Sequence, residues 1–147
     1  MRKIILAGAA MLATTGMAMA AGSDTVTISS TLPQSCSVDI PTATITLSPT
    51  TTASSQNFTY RCNFGSEEST ATLTFDSTSD GVVGPGGEID YNITFGSATG
   101  TSNSALVASA PVSTPNTNIS ASFSVALASA PLIAGTYTDV LNVSISP

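Results

Sequence analysis

The chain has 147 residues, with 3 Lys and Arg against 9 Asp and Glu, and no His or Trp. Arg2, Lys3 and all four Met lie within the first 20 positions; beyond them Arg61 alone opposes the nine acids, a net charge of −8. That balance offers no basic footprint to nucleic acid or anionic lipid. Two Cys without any His also exclude a zinc site of the usual His/Cys kind.

Positions 1–20 read as a secretory signal peptide. Arg2 and Lys3 form the positive end, Ile4 to Ala13 the apolar stretch, and Ala18-Met19-Ala20 an A-x-A cleavage site. The apolar stretch is too short to span a bilayer, so no stable membrane insertion is expected. About 127 residues remain, rich in Ser, Thr, Ala and Val. Few charges with ample β-branched residues describe one ordered β-domain rather than a disordered tail.

Directly after the cleavage site, Val26, Ile28 and Leu32 alternate with Thr25, Thr27, Ser29 and Thr31, and Ser30 takes the remaining slot on the apolar face. The pattern is that of a strand, set off from the next segment by Pro33. It reads either as an ordinary first strand or as a mobile donor strand that fills a neighbour's open edge.

Cys36 and Cys62 each lie 13 positions from Pro49, in the turn-like run Ser48-Pro49-Thr50-Thr51-Thr52. A hairpin about that point sets Cys36 against Cys62, Val38 against Tyr60 and Ile40 against Phe58, all on one face. In an exported chain this predicts a disulfide, contributing about 3–4 kcal/mol by loop-closure entropy. Ile45 and Leu47 continue the first arm with switched parity after Pro41, which predicts a break or bulge there.

Further strands are expected at Ala71-Leu73-Phe75, at Ile89-Tyr91-Ile93-Phe95 and from Ile119 to Leu127, with a short edge strand near Leu106. Gly84-Pro85-Gly86-Gly87 reads as a turn, and Gly96 to Asn103 as a loose run. Tyr137, Leu141, Val143 and Ile145 then share one parity in the last strand, while Thr138, Asn142, Ser144 and Ser146 share the other. Asp139 falls on the inward parity and is expected near that strand's solvent-exposed start. The last strand is expected to keep a free edge, a hazard that another segment or another chain must cover. Short strands with regular turn signals and no helical period indicate an antiparallel β-sandwich.

Four stretches together resemble the spore coat protein U-like family, which includes pilin subunits of the archaic chaperone–usher pathway. They are Cys36-Ser37-Val38, Tyr60-Arg61-Cys62-Asn63, Ile89-Asp90-Tyr91-Asn92-Ile93 and Gly135-Thr136-Tyr137-Thr138-Asp139-Val140-Leu141-Asn142-Val143. The resemblance covers essentially the whole chain after the signal peptide. It implies an incomplete immunoglobulin-like antiparallel β-sandwich that lacks its last strand and is completed by donor-strand complementation. Residues 1–20 would be the signal peptide, 21–33 the donor-strand extension and 34–147 the pilin sandwich.

By position, the resemblance makes Val26, Ile28, Ser30 and Leu32 the donor residues. Leu141, Val143 and Ile145 would line one wall of the acceptor groove, Ile45 and Leu47 the other, and Cys36 and Cys62 would form the disulfide. The implied partners are a periplasmic pilus chaperone, an outer-membrane usher and neighbouring pilin subunits of a homopolymer at the cell surface, with no cofactor. Members of the family often carry a Trp in the strand before the final one; here Phe123 is the nearest aromatic.

The residues offer little to catalysis. A serine nucleophile has no His base, and neither G-x-S-x-G nor S-x-x-K occurs after the signal peptide. Asp80 and the Glu67-Glu68 pair lack EF-hand spacing, and Gly84 to Gly87 lacks the Lys of a phosphate loop. Asp90 and Asp139 have no aromatic platform for a paired-carboxylate glycosidase. The expected role is a non-enzymatic fimbrial subunit supporting surface attachment or biofilm. The alternatives are a monomeric secreted binding module, whose residues 25–32 would pair within their own chain, and a spore- or cyst-coat protein.

Overall fold

The computed structural model describes residues 26–41, 44–65 and 69–147; the expected signal peptide lies outside them. The chain divides into two units, Met1–Thr31 and Leu32–Pro147. The described part of the first, residues 26–31, forms no helix or strand, and Val26 and Ile28 are 81% and 92% exposed.

The second unit is all-β, with no helix among the described residues. Its strands are β1 (Cys36–Asp39), β2 (Ser54–Cys62), β3 (Thr70–Ser77), β4 (Val82–Gly84), β5 (Gly87–Ile89), β6 (Tyr91–Phe95), β7 (Ala98–Thr101), β8 (Leu106–Pro111), β9 (Ile119–Leu127) and β10 (Leu141–Ser146). One sheet runs β1-β2-β9-β6-β7, the other β10-β3-β8, and β4 with β5 forms a small hairpin. Every ladder is antiparallel. The architecture is consistent with a β-sandwich.

Strict alternation explains why these segments pair as they do. On β3, Ala71, Leu73 and Phe75 are buried while the Thr between them are not, and β2 and β9 repeat the pattern with Phe58, Tyr60, Phe123 and Val125. The two apolar faces meet at Phe75. Its ring centroid lies 5.1 Å from that of Phe123 and 6.5 Å from that of Phe58, the latter pair edge-on. Burial of each such ring stabilises the fold by about 1.5–3 kcal/mol. Tyr60 reaches from the larger sheet to donate its hydroxyl to the Pro111 carbonyl at 2.8 Å, and burial pushes its phenol pKa up.

The predicted hairpin register holds at its root. Cys36 pairs with Cys62 and Val38 with Tyr60, and the two cysteines form a disulfide with Cα atoms 4.1 Å apart. The ladder stops at Asp39 opposite Thr59, so Ile40 does not pair with Phe58. Residues 44–48 form no strand, correcting the expectation that Ile45 and Leu47 extend the arm. A ladder through Pro41 would lack an N–H donor, and the chain departs there.

Among the short elements the expected glycine-rich turn is present, and the loose run departs from expectation. The glycine-rich turn is a hairpin, with Gly84 opposite Gly87 around Pro85-Gly86, and Gly87 has φ +93. The loose run after Phe95 contains β7, which pairs along β6 from Phe95–Ala98 to Asn92–Thr101. The edge strand near Leu106 is present as β8, six residues long on β3.

Candidate functional site

The smaller sheet has two edge strands, and they are covered very differently. On β8, Leu106, Ala108 and Ala110 are 7%, 7% and 0% exposed, and on central β3 Leu73 and Phe75 are both 0%. On β10, Val143 and Ile145 stand opposite Phe75 and Leu73 yet are only partly buried, as is Leu141 opposite Ser77. Edge position does not account for this, because β8 is an edge as well.

The same side of the larger sheet is also thinly covered. Val38 on β1 and Ile119 and Ala121 on the first half of β9 are partly buried, whereas Phe123, Val125 and Leu127 on its second half are buried. Ile45 and Leu47 are likewise partly buried against the core. β1 and β10 approach each other across this side. Among the described residues no strand pairs with β10 on the side away from β3, so the backbone N–H and C=O groups of that edge can serve as a template. The result is an apolar seam beside a strand edge that no described strand pairs.

The lead-in to β10 is held more firmly than alternation suggested. Asp139 is not a solvent-facing carboxylate at a strand start. It lies before β10, partly buried, and accepts hydrogen bonds from Ser77 Oγ at 2.5 Å, Tyr91 Oη at 2.6 Å and the Ser79 amide at 3.1 Å. Ser77 ends β3 and Tyr91 opens β6, so one carboxylate joins both sheets at the mouth of β10. Burial raises the Asp139 pKa, but the bonds from Ser77, Tyr91 and the backbone outweigh it and hold the carboxyl below its usual range. Burial, reinforced by Asp139, pushes the Tyr91 phenol well above its ordinary value.

Tyr137 is the second lock. Its hydroxyl accepts from the Gly86 amide and donates to the Ile133 carbonyl, both at 3.0 Å. Its ring lies so close to Gly84 that a Cβ there would sit 2.6 Å from ring carbons. Val83 and Thr138 exchange backbone bonds of 2.9 and 3.1 Å. Alternation placed Tyr137 and Asp139 inside the last strand; an acid on the inward parity was the one sign of a polar junction there.

At the opposite pole, Asn63 grips the start of the second unit. Its side chain donates to the Pro33 carbonyl and accepts from the Ser35 amide, both at 2.8 Å, and its own amide donates to the Ser35 carbonyl at 3.0 Å. Sequence reasoning assigned Asn63 no role. Of the expected donor residues, Val26, Ile28 and Ser30 belong to the first unit and Leu32 opens the second. All four are exposed and none lies in a strand.

A depression of about 510 Å³ lies on the outer, polar face of the larger sheet, between Asp39, Asn57, Thr59, Ser120 and Ser122. These side chains bring one carboxylate and no cationic group. Among the described residues, no three His, Cys, Asp or Glu side chains converge as a metal site would require. No helix there is long and apolar enough to cross a membrane. Comparison with protein-family models, with curated proteins and with solved structures found no match.

Proposed function

We propose that this chain is a structural subunit of a surface fibre, exported in an unfinished state and polymerised head-to-tail by donor-strand exchange. The observation that carries the reading is the contrast between the two edges of the smaller sheet: β8 buries its inward face, and β10 does not. An inserted strand with apolar residues at alternate positions would pair with the free backbone of β10 and cover Leu141, Val143 and Ile145.

Residues 26–32 have that alternation, with Val26, Ile28, Ser30 and Leu32 on one parity. They form no strand in their own chain, where a complete, monomeric binding module would have used them. Exchange between copies is heterologous and therefore open-ended, the geometry of a filament. The Cys36–Cys62 disulfide suits an oxidising compartment. In this proposal the sandwich is immunoglobulin-like and lacks one strand. A periplasmic chaperone shields the seam, an outer-membrane usher exchanges it for the next subunit's extension, and the fibre supports attachment or biofilm. Assembly needs no nucleotide or cofactor, because strand pairing and apolar burial drive it.

A synthetic peptide of residues 24–34 tests the reading. Added to the exported chain, it is expected to raise the unfolding temperature and block polymerisation. The same peptide with Ile28→Asp is expected to do neither. Equal effects of both peptides, or none from the native one, would remove the proposal.

A further inference from the structure

The pole at which β10 begins carries exposed apolar side chains that the groove does not use. Leu132 is 99% exposed, Ile133 52%, Val140 61% and Val83 47%. The fold brings their segments to one pole. Val83 bridges Thr138, two residues before Val140, and Tyr137 holds Ile133, which Leu132 precedes, over the β4–β5 hairpin. Asp80 and Glu88 sit exposed on the same hairpin region, so two such poles would repel each other.

From this placement we infer that the patch is the seat of the next subunit's body, specifically the pole that carries Asn63. The inference rests on the strand-exchange reading and on the length of chain between donor strand and body. Pro33 and Ser35 are held to Asn63 of their own molecule, so a donor strand ending at Leu32 has about one residue, roughly 3.8 Å, before its body begins. The donating subunit cannot stand off from the mouth of the groove; its Asn63 pole abuts it.

Which mouth it abuts depends on strand direction. Every ladder in this fold is antiparallel, and antiparallel pairing is slightly the more stable per residue. An inserted strand antiparallel to β10 places Leu32 beside Leu141, at the end where Leu132, Ile133, Val83 and Val140 are exposed. The Asn63 pole of one copy then covers the apolar pole of the next, and unlike poles meet along the fibre. Parallel insertion would place Leu32 at Ser146 and leave the patch bare.

Cysteine pairs in the exported full-length chain test this. Leu132→Cys marks the patch, and Thr117→Cys marks the Asn63 pole, where the adjacent Asn116 amide bonds the Cys62 carbonyl at 2.7 Å. Polymers confirmed by size exclusion are treated with a short bis-maleimide and denatured. The double variant is expected to give a ladder of covalent multimers, and each single variant none. A covalent dimer from Thr117→Cys alone would mean that like poles meet and would overturn the inference. So would polymers of the double variant that yield no ladder. Failure of the unmodified chain to polymerise would remove the strand-exchange reading, and this contact with it. A second measurement uses Leu132→Asp, which is expected to lower the dissociation temperature of the polymer while leaving subunit unfolding unchanged; an unchanged polymer would contradict the contact.

Discussion

Tyr91 on β6 donates its hydroxyl to Asp139 at 2.6 Å, and this bond joins the five-stranded sheet to the segment that opens β10. Ser77 at the end of β3 donates to the same carboxylate oxygen. Strand β10 is therefore anchored at its root, while among the described residues no strand pairs with its outer edge.

Asp139→Asn replaces one acceptor oxygen with an amide donor, which leaves without an acceptor either Ser77 and Tyr91 together, since both donate to one oxygen, or the Ser79 amide on the other. The expected loss of stability is about 1–3 kcal/mol, and Tyr91→Phe alone should lose about 1 kcal/mol. Because both act on one network, the double variant should lose less than the sum. Thermal unfolding of the three variants checks this.

The same carboxylate sets an acid limit. Its folded pKa lies below the ordinary 3.8, so its contribution is complete above that value and lost as pH falls through the folded pKa. Stability should drop below about pH 4, and Asp139→Asn should remove that part of the acid limb. For Tyr91 the sign reverses. A raised phenol pKa means stability held below its ordinary 10.0 and lost as pH climbs beyond it. Unfolding temperatures from acid to alkaline pH, with Tyr91→Phe as control, would show both limbs.

The disulfide closes a segment with a sequence separation of 26 residues. Replacing both Cys36 and Cys62 with Ser should cost about 3–4 kcal/mol by loop-closure entropy. The free ends of β1 and residues 44–48 should become protease-sensitive before the β3–β8 sheet does, which limited proteolysis with mass mapping would reveal.

Gly84 is needed for contact rather than for turning. Gly84→Ala would push the Tyr137 ring from its place, at an expected cost of about 1–3 kcal/mol. The loosened segment 131–140 should then be cut near Leu132 more rapidly, and hydrogen exchange at Val83 and Thr138 should accelerate.

Much of this fold is readable from alternation, and the exceptions have physical causes. β2, β3, β6 and β9 announce themselves because each carries apolar residues at alternate positions over part of its length: Phe58 and Tyr60, Leu73 and Phe75, Tyr91 to Phe95, and Ile119 to Leu127. Symmetry about Pro49 gave the Cys36–Cys62 pairing directly. β7, by contrast, is Ala-Thr-Gly-Thr, with no apolar rhythm, and exists because β6 offers it a ladder. β4 and β5 are three residues each, too short for a period to show. Tyr137 and Asp139 keep the parity of β10, but their polar tips find Ile133, Gly86, Ser77 and Tyr91 and end the ladder early. The residues of the candidate seam were legible from parity on β10. A free edge on the last strand was expected as well; its contrast with the buried face of β8 was not, since that depends on sheet order.

The most direct test of strand exchange compares the exported chain with a form in which residues 21–33 are moved past Pro147 on a short flexible linker. Both are made without any chaperone, and thermal unfolding and size-exclusion mass are recorded. Strand exchange predicts that the rearranged form is a stable monomer, its relocated strand lying along β10, while the natural chain polymerises or is degraded. A natural chain that is already a stable monomer, and is harmed by the rearrangement, would contradict it.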